Sequence, residues 1–139
     1  MNFTILFLLL GIIIIVDIRH KYVYEGMSLL GVLVALHYQY FQGNILEAII
    51  GIDAGLLIVF VLNILTGKKI GGGDAKTLAM IGAFLGYMPV LFIAFIAHVL
   101  CDIYRKVKRN YTTLPYTPFI GVATLLVSIC LIGQYFLKN

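Results

Sequence analysis

The chain falls into six apolar runs parted by short polar breaks, and this pattern restricts the fold more than any other feature of the sequence. A membrane-crossing helix needs roughly 20 mostly apolar residues, fewer where flanking side chains snorkel. The runs cover residues 2–18, 27–41, 45–65, 74–86, 90–103 and 119–137. Hydrophobic residues make up 62% and charged residues 12%, so a water-soluble domain of 139 residues has nowhere to bury the apolar surface. The expectation is an all-α integral membrane protein of about six transmembrane helices, folded as the single domain 1–139 and in contact with membrane lipid. The first run has no basic residue before it and no small-x-small cleavage site, so it reads as a permanent helix rather than a signal peptide. The net charge of +4 sits in three clusters with no basic face or aromatic platform, which argues for topology and against nucleic-acid binding. Cys101 and Cys130 form no CxxC pair, lie inside apolar runs and read as buried, inert thiols rather than zinc ligands.

The basic residues set the sidedness. The breaks after the first, third and fifth runs carry Arg19, Lys21, Lys68, Lys69, Arg105, Lys106, Lys108 and Arg109, and Lys76 lies just inside the fourth run on the same side. The positive-inside rule puts these breaks in the cytoplasm and both termini outside. Gly51-x-x-x-Gly55 and Gly82-x-x-x-Gly86 read as packing glycines where helices approach closely.

One break stands apart. Ile70-Gly71-Gly72-Gly73-Asp74-Ala75-Lys76 joins three glycines to an acid at the opening of the fourth run. Each glycine costs about 1 kcal/mol against alanine inside a helix, so the triplet predicts a backbone interruption. Asp74 is either an N-cap or a reactive carboxylate that bare backbone can approach. The fourth run is too short to cross fully if its helix starts at Asp74, and Tyr87-Met88-Pro89 is expected to close it.

Carboxylates at membrane depth are expensive and mark function by default. Asp17, at the end of the first run, reads either as an interface anchor paired with Arg19 or Lys21 or as a functional acid, and the second is favoured because Asp17 faces the unfavourable end of its helix macrodipole. The topology brings Asp17 and Asp74 to one side at similar depth. Two carboxylates held close can share a proton, one activating water while the other donates to a carbonyl oxygen, which is peptide hydrolysis without a covalent intermediate. Exposed glycine backbone beside Asp74 could pair with an extended substrate. Asp53, in the middle of the third run, is either a proton carrier or a protonated structural acid. Asp102 reads as an interface pair with His98 and Arg105. Two such ligands without a third do not make a metal site.

These residues resemble the type IV prepilin peptidases, bacterial membrane aspartyl proteases of the GxGD type. Gly71-Gly72-Gly73-Asp74-Ala75-Lys76 matches the family's GxGD(x)K motif at the head of the fourth helix. Asp17 matches its first catalytic aspartate, and Leu114-Pro115-Tyr116-Thr117-Pro118-Phe119 is similar to its Pro-Phe-x-Pro stretch opening the last helix. The resemblance implies a GxGD-type bundle with Asp17 and Asp74 as the catalytic pair and Gly71, Gly72, Gly73 and Lys76 supporting it. It implies no metal or cofactor, and a prepilin-like or pseudopilin substrate cleaved at the cytoplasmic face of the inner membrane. The CxxC-bearing domain of larger relatives, linked to N-methylation, has no counterpart, so the short, peptidase-only form is expected. Val23-Tyr24 stands where many relatives have Ile-Pro. Lys76 could equally be a snorkelling interface lysine. The rival readings are a small proton-coupled transporter using Asp17, Asp53 and Asp74 as a relay, and a non-enzymatic pilus or secretion assembly subunit.

Overall fold

A computed structural model describes residues 3–20, 25–67, 70–108 and 116–138. All of the regular structure in these residues is helical: α1 (Phe3–His20), α2 (Glu25–Phe41), α3 (Ile45–Thr66), α4 (Gly72–Leu85), α5 (Tyr87–Lys108) and α6 (Thr117–Lys138). The chain is thus an all-α membrane protein. Among the described residues, Ile45–Thr66, Tyr87–Val107 and Thr117–Gln134 are long and apolar enough to cross a bilayer, and Gly26–Phe41 is a shorter apolar helix.

The shortest helix is the centre of the bundle. α4 packs against each of the other five helices, and these form a closed ring in the order α1, α2, α3, α5, α6 and back to α1. Every residue from Thr77 to Leu85 is buried, as expected of a helix that is apolar on all sides. Fourteen residues span about 21 Å, less than the hydrocarbon core of a bilayer. α4 therefore needs a shell of longer helices to keep its ends from lipid.

Small residues permit the shell to close in. A Cβ on Gly51 would strike the carbonyl of Gly82, and one on Gly82 would strike the carbonyl of Gly51. One turn along α3, a Cβ on Gly55 would lie 2.7 Å from the backbone of Leu78. Gly31 of α2 accommodates Met80, and Gly121 of α6 accommodates Ile14 of α1. The packing role expected for the glycine pairs in α3 and α4 holds for Gly51, Gly55 and Gly82, and a Cβ on Gly51 would also come within 3.2 Å of the Gly86 backbone. Gly86 has a further task. With φ 86° it ends α4 in a conformation other residues rarely adopt, and α5 begins at the next residue.

Several expected boundaries move. α3 ends at Thr66 and α4 begins at Gly72, so the interruption does not run through the whole glycine triplet. Gly67 caps α3 in the left-handed region at φ 62°, and Gly71 is the extended N-cap of α4. Gly72 and Gly73 are already helical, because first-turn N–H groups lack intrahelical partners in any sequence and glycine adds little cost there. Tyr87-Met88-Pro89 opens α5 rather than closing α4, since proline is tolerated in a first turn. Cys101 is buried as expected, but Cys130 lies exposed on the outer face of α6. The basic residues Lys21, Lys68, Lys69 and Arg109 lie outside the described residues.

Candidate active site

Asp74 occupies the third position of α4, not its N-cap. Gly71 is the cap, and it contributes no side chain. From the third position a carboxylate reaches back over the helix mouth, as the acid of a capping box does. The Gly71 backbone N–H interacts with this carboxylate, and a Cβ on Gly71 would come within 3.4 Å of Oδ2. The positive end of the helix dipole favours the same placement.

The other carboxylate oxygen is held by a different helix. Thr117 Oγ1 donates to Asp74 Oδ1 at 2.7 Å, and Thr117 is fully buried. Thr117 is the first residue of α6, and its position is fixed by the residue before it. Tyr116 is buried, and its hydroxyl donates to the Ala94 carbonyl of α5 at 3.2 Å. The Tyr116 carbonyl accepts from the N–H groups of Phe119 and Ile120 to open α6. Pro118 sits in the first turn, where its missing N–H costs nothing.

Asp17 comes from the last turn of α1 and is only 4% exposed. Its charge acts on Asp74, so the two carboxylates lie within electrostatic range at one end of the bundle. Asp17 Oδ2 has no hydrogen-bond partner among the described residues. An oxygen that is buried and unpartnered is uncommon, and a catalytic role is one explanation for it. Three helices thus contribute to one locus: α1 with Asp17, α4 with Asp74 and α6 with Thr117.

The remaining candidates are distributed as follows. Gly71 and Gly72 are exposed at the mouth of α4 and Gly73 is half-buried, leaving backbone open beside Asp74. The Gly73 carbonyl accepts from Thr77 Oγ1 at 3.1 Å, and Ser28 Oγ of α2 lies 3.4 Å from the same hydroxyl. Lys76 is half-buried two residues beyond Asp74, about 200° around α4, so it emerges on the other side of that helix. Asp53 is exposed on α3 and takes no part in the cluster. His98 Nε2 and Asp102 Oδ2 are 3.7 Å apart on α5, the local pair their spacing predicts.

Sequence reasoning did not single out Thr117. The available signal was a hydroxyl between Tyr116 and Pro118 at a helix opening, where no carbonyl of its own helix precedes it.

Fold and site together define a helical membrane protein with two carboxylates converging at one end of its bundle. The model of the type IV leader peptidase family matches residues 4–105, well over half the sequence, and the chain belongs to that family. The match takes in both Asp17 and Asp74 and ends before Thr117. No curated protein and no solved structure matches the chain. Family membership supports a leader-peptidase-like protease in general terms.

Proposed function

We propose that this protein is a membrane aspartyl endopeptidase that removes the leader peptide from type IV prepilin-like or pseudopilin precursors. The reaction takes place at the cytoplasmic face of a bacterial inner membrane. The observation that carries this reading is the pairing of Asp17 and Asp74, which stand 57 positions apart (74 − 17) on separate helices yet lie within electrostatic range of each other.

The chemistry needs only these two groups and a water. One carboxylate, ionised, takes a proton from water as the oxygen attacks the scissile carbonyl carbon. The other, protonated, gives its proton to the carbonyl oxygen, and a tetrahedral diol results. The roles then reverse. The first acid protonates the leaving nitrogen, the C–N bond breaks, and a diol proton returns to the second carboxylate. The exposed backbone of Gly71 and Gly72 offers hydrogen bonds to an extended substrate segment alongside Asp74.

The position of Asp53 weighs against a proton-coupled transporter. A relay needs its acids in sequence, and Asp53 faces out of the bundle.

The test is cleavage of a co-expressed pilin-like precursor by wild type, Asp17→Asn and Asp74→Asn, with membrane levels matched. Loss of cleavage in both variants is the expected result. Cleavage surviving in either one removes the aspartyl mechanism and favours an assembly subunit.

A further inference from the structure

A threonine inside a helix usually satisfies its hydroxyl on its own backbone. Thr66, Thr77 and Thr124 all do so, donating to the carbonyl four residues earlier, Leu62, Gly73 and Ile120 respectively. Thr117 cannot. It is the first residue of α6, so α6 itself offers it no carbonyl four residues back. Its hydroxyl is fully buried, so it must find an acceptor elsewhere, and it reaches across the bundle to Asp74 Oδ1.

We infer that Thr117 is a positioning residue for Asp74, fixing the rotamer of that carboxylate from α6 so that its remaining lone pairs face the reacting water. This rests on the proposed peptidase reading. Three features make the support rigid. The hydroxyl contact is 2.7 Å, in the range of a strong hydrogen bond to a carboxylate. The preceding Tyr116 is tied to the Ala94 carbonyl of α5, and the following proline restricts the backbone. Asp74 is therefore gripped by its own helix mouth at Gly71 and by α6 at Thr117. Such a grip ties the geometry of the carboxylate to the docking of α6 against α4 and α5. A side chain whose orientation is set by a second residue reacts more slowly once that residue is lost, even when the fold is intact.

The experiment compares full-length wild type, Thr117→Val, Thr117→Ser and Asp74→Asn in detergent, with a purified pilin-like precursor carrying its leader as substrate. Valine keeps the shape of threonine and removes the donor, whereas serine keeps the donor. The expected result is a fall in kcat of about ten- to a hundredfold for Thr117→Val, with KM unchanged. Thr117→Ser should stay within a few-fold of wild type. A donor to a carboxylate favours its ionised form, so the limb of the pH–rate profile that Asp74 sets should move to higher pH in Thr117→Val. A Thr117→Val profile and kcat equal to wild type, with Asp74→Asn inactive, would overturn this role and leave the peptidase reading standing. A loss that serine does not restore, or that leaves the pH profile unmoved, assigns Thr117 to folding alone and also overturns it. Full activity in Asp74→Asn would instead remove the aspartyl mechanism on which this role rests.

Discussion

Gly51 of α3 and Gly82 of α4 meet backbone to backbone, each occupying the space a Cβ on the other would need. This contact seats α4 in the ring of helices and so sets the height at which Asp74 emerges. Neither backbone carbonyl can move aside as a side chain could. Gly51→Ala and Gly82→Ala should each destabilise the protein by about 1–3 kcal/mol, because two packed helices must separate. Gly11→Ala and Gly133→Ala are the controls, since a Cβ at either position meets nothing within 4 Å. Thermal unfolding in detergent should separate the two groups clearly. Equal melting temperatures across all four variants would contradict the close approach.

Asp53 separates a peptidase from a proton relay. Gly51 and Gly55 face α4, and Asp53 lies two residues from each, about 200° around α3 at 100° per residue. Its carboxylate thus leaves the bundle on the side away from Asp17 and Asp74. Asp53→Asn and Asp53→Leu should retain leader cleavage within a few-fold of wild type. Abolished cleavage at normal membrane levels would mean that Asp53 belongs to the chemistry after all.

Asn63 controls the approach to the glycine-rich segment. Its carbonyl oxygen accepts from Gly67 N–H at 3.1 Å, closing α3, and its side-chain Oδ1 accepts from Ile70 N–H at 2.7 Å. One residue thereby fastens both sides of the connection that leads to Gly71. Asn63→Ala leaves the Ile70 N–H without its partner, at a cost of about 1–3 kcal/mol. Asn63→Asp keeps an acceptor and should lose less. Cleavage should fall along with stability in Asn63→Ala, because Gly71 lies against the Asp74 carboxylate. A melting curve paired with a cleavage assay tests both effects.

The helical fold and the catalytic candidates were legible in the sequence because each left a local mark. Apolar runs announce helices in a membrane-type chain, and Asp17 and Asp74 were conspicuous as acids at the edges of such runs. What could not be read was the packing order. Nothing in the local pattern says that α4, the shortest helix, is the one every other helix touches. That follows from glycine matches across helices, such as Gly51 with Gly82, which depend on register between distant segments. The glycine triplet misleads for a related reason. Propensity penalises glycine inside a helix, but Gly72 and Gly73 occupy a first turn, where the penalty is small. Thr117 leaves no local mark because its partner is 43 residues away. A threonine at a helix opening acquires meaning only once the fold supplies the acceptor.

Gln39 shows that stability and chemistry separate along α4. α5 begins immediately after Gly86, so the last carbonyls of α4 must find donors from another element. Gln39 of α2 supplies them, with Nε2 donating to Phe84 O at 3.1 Å and to Ala83 O at 3.4 Å. Gln39→Leu removes both donors and should cost about 1–3 kcal/mol of stability. Gln39→Glu should cost more, because an acid replaces the donor at the negative end of the helix dipole. Phe84 lies ten residues beyond Asp74 (84 − 74), about 15 Å along the axis. The kcat of folded enzyme should therefore be unchanged in Gln39→Leu while its melting temperature falls. Unfolding curves and single-turnover cleavage on the same preparation measure the two separately. A drop in kcat matching the loss of stability would show that the far end of α4 is coupled to the carboxylates, and that the helix transmits strain along its whole length.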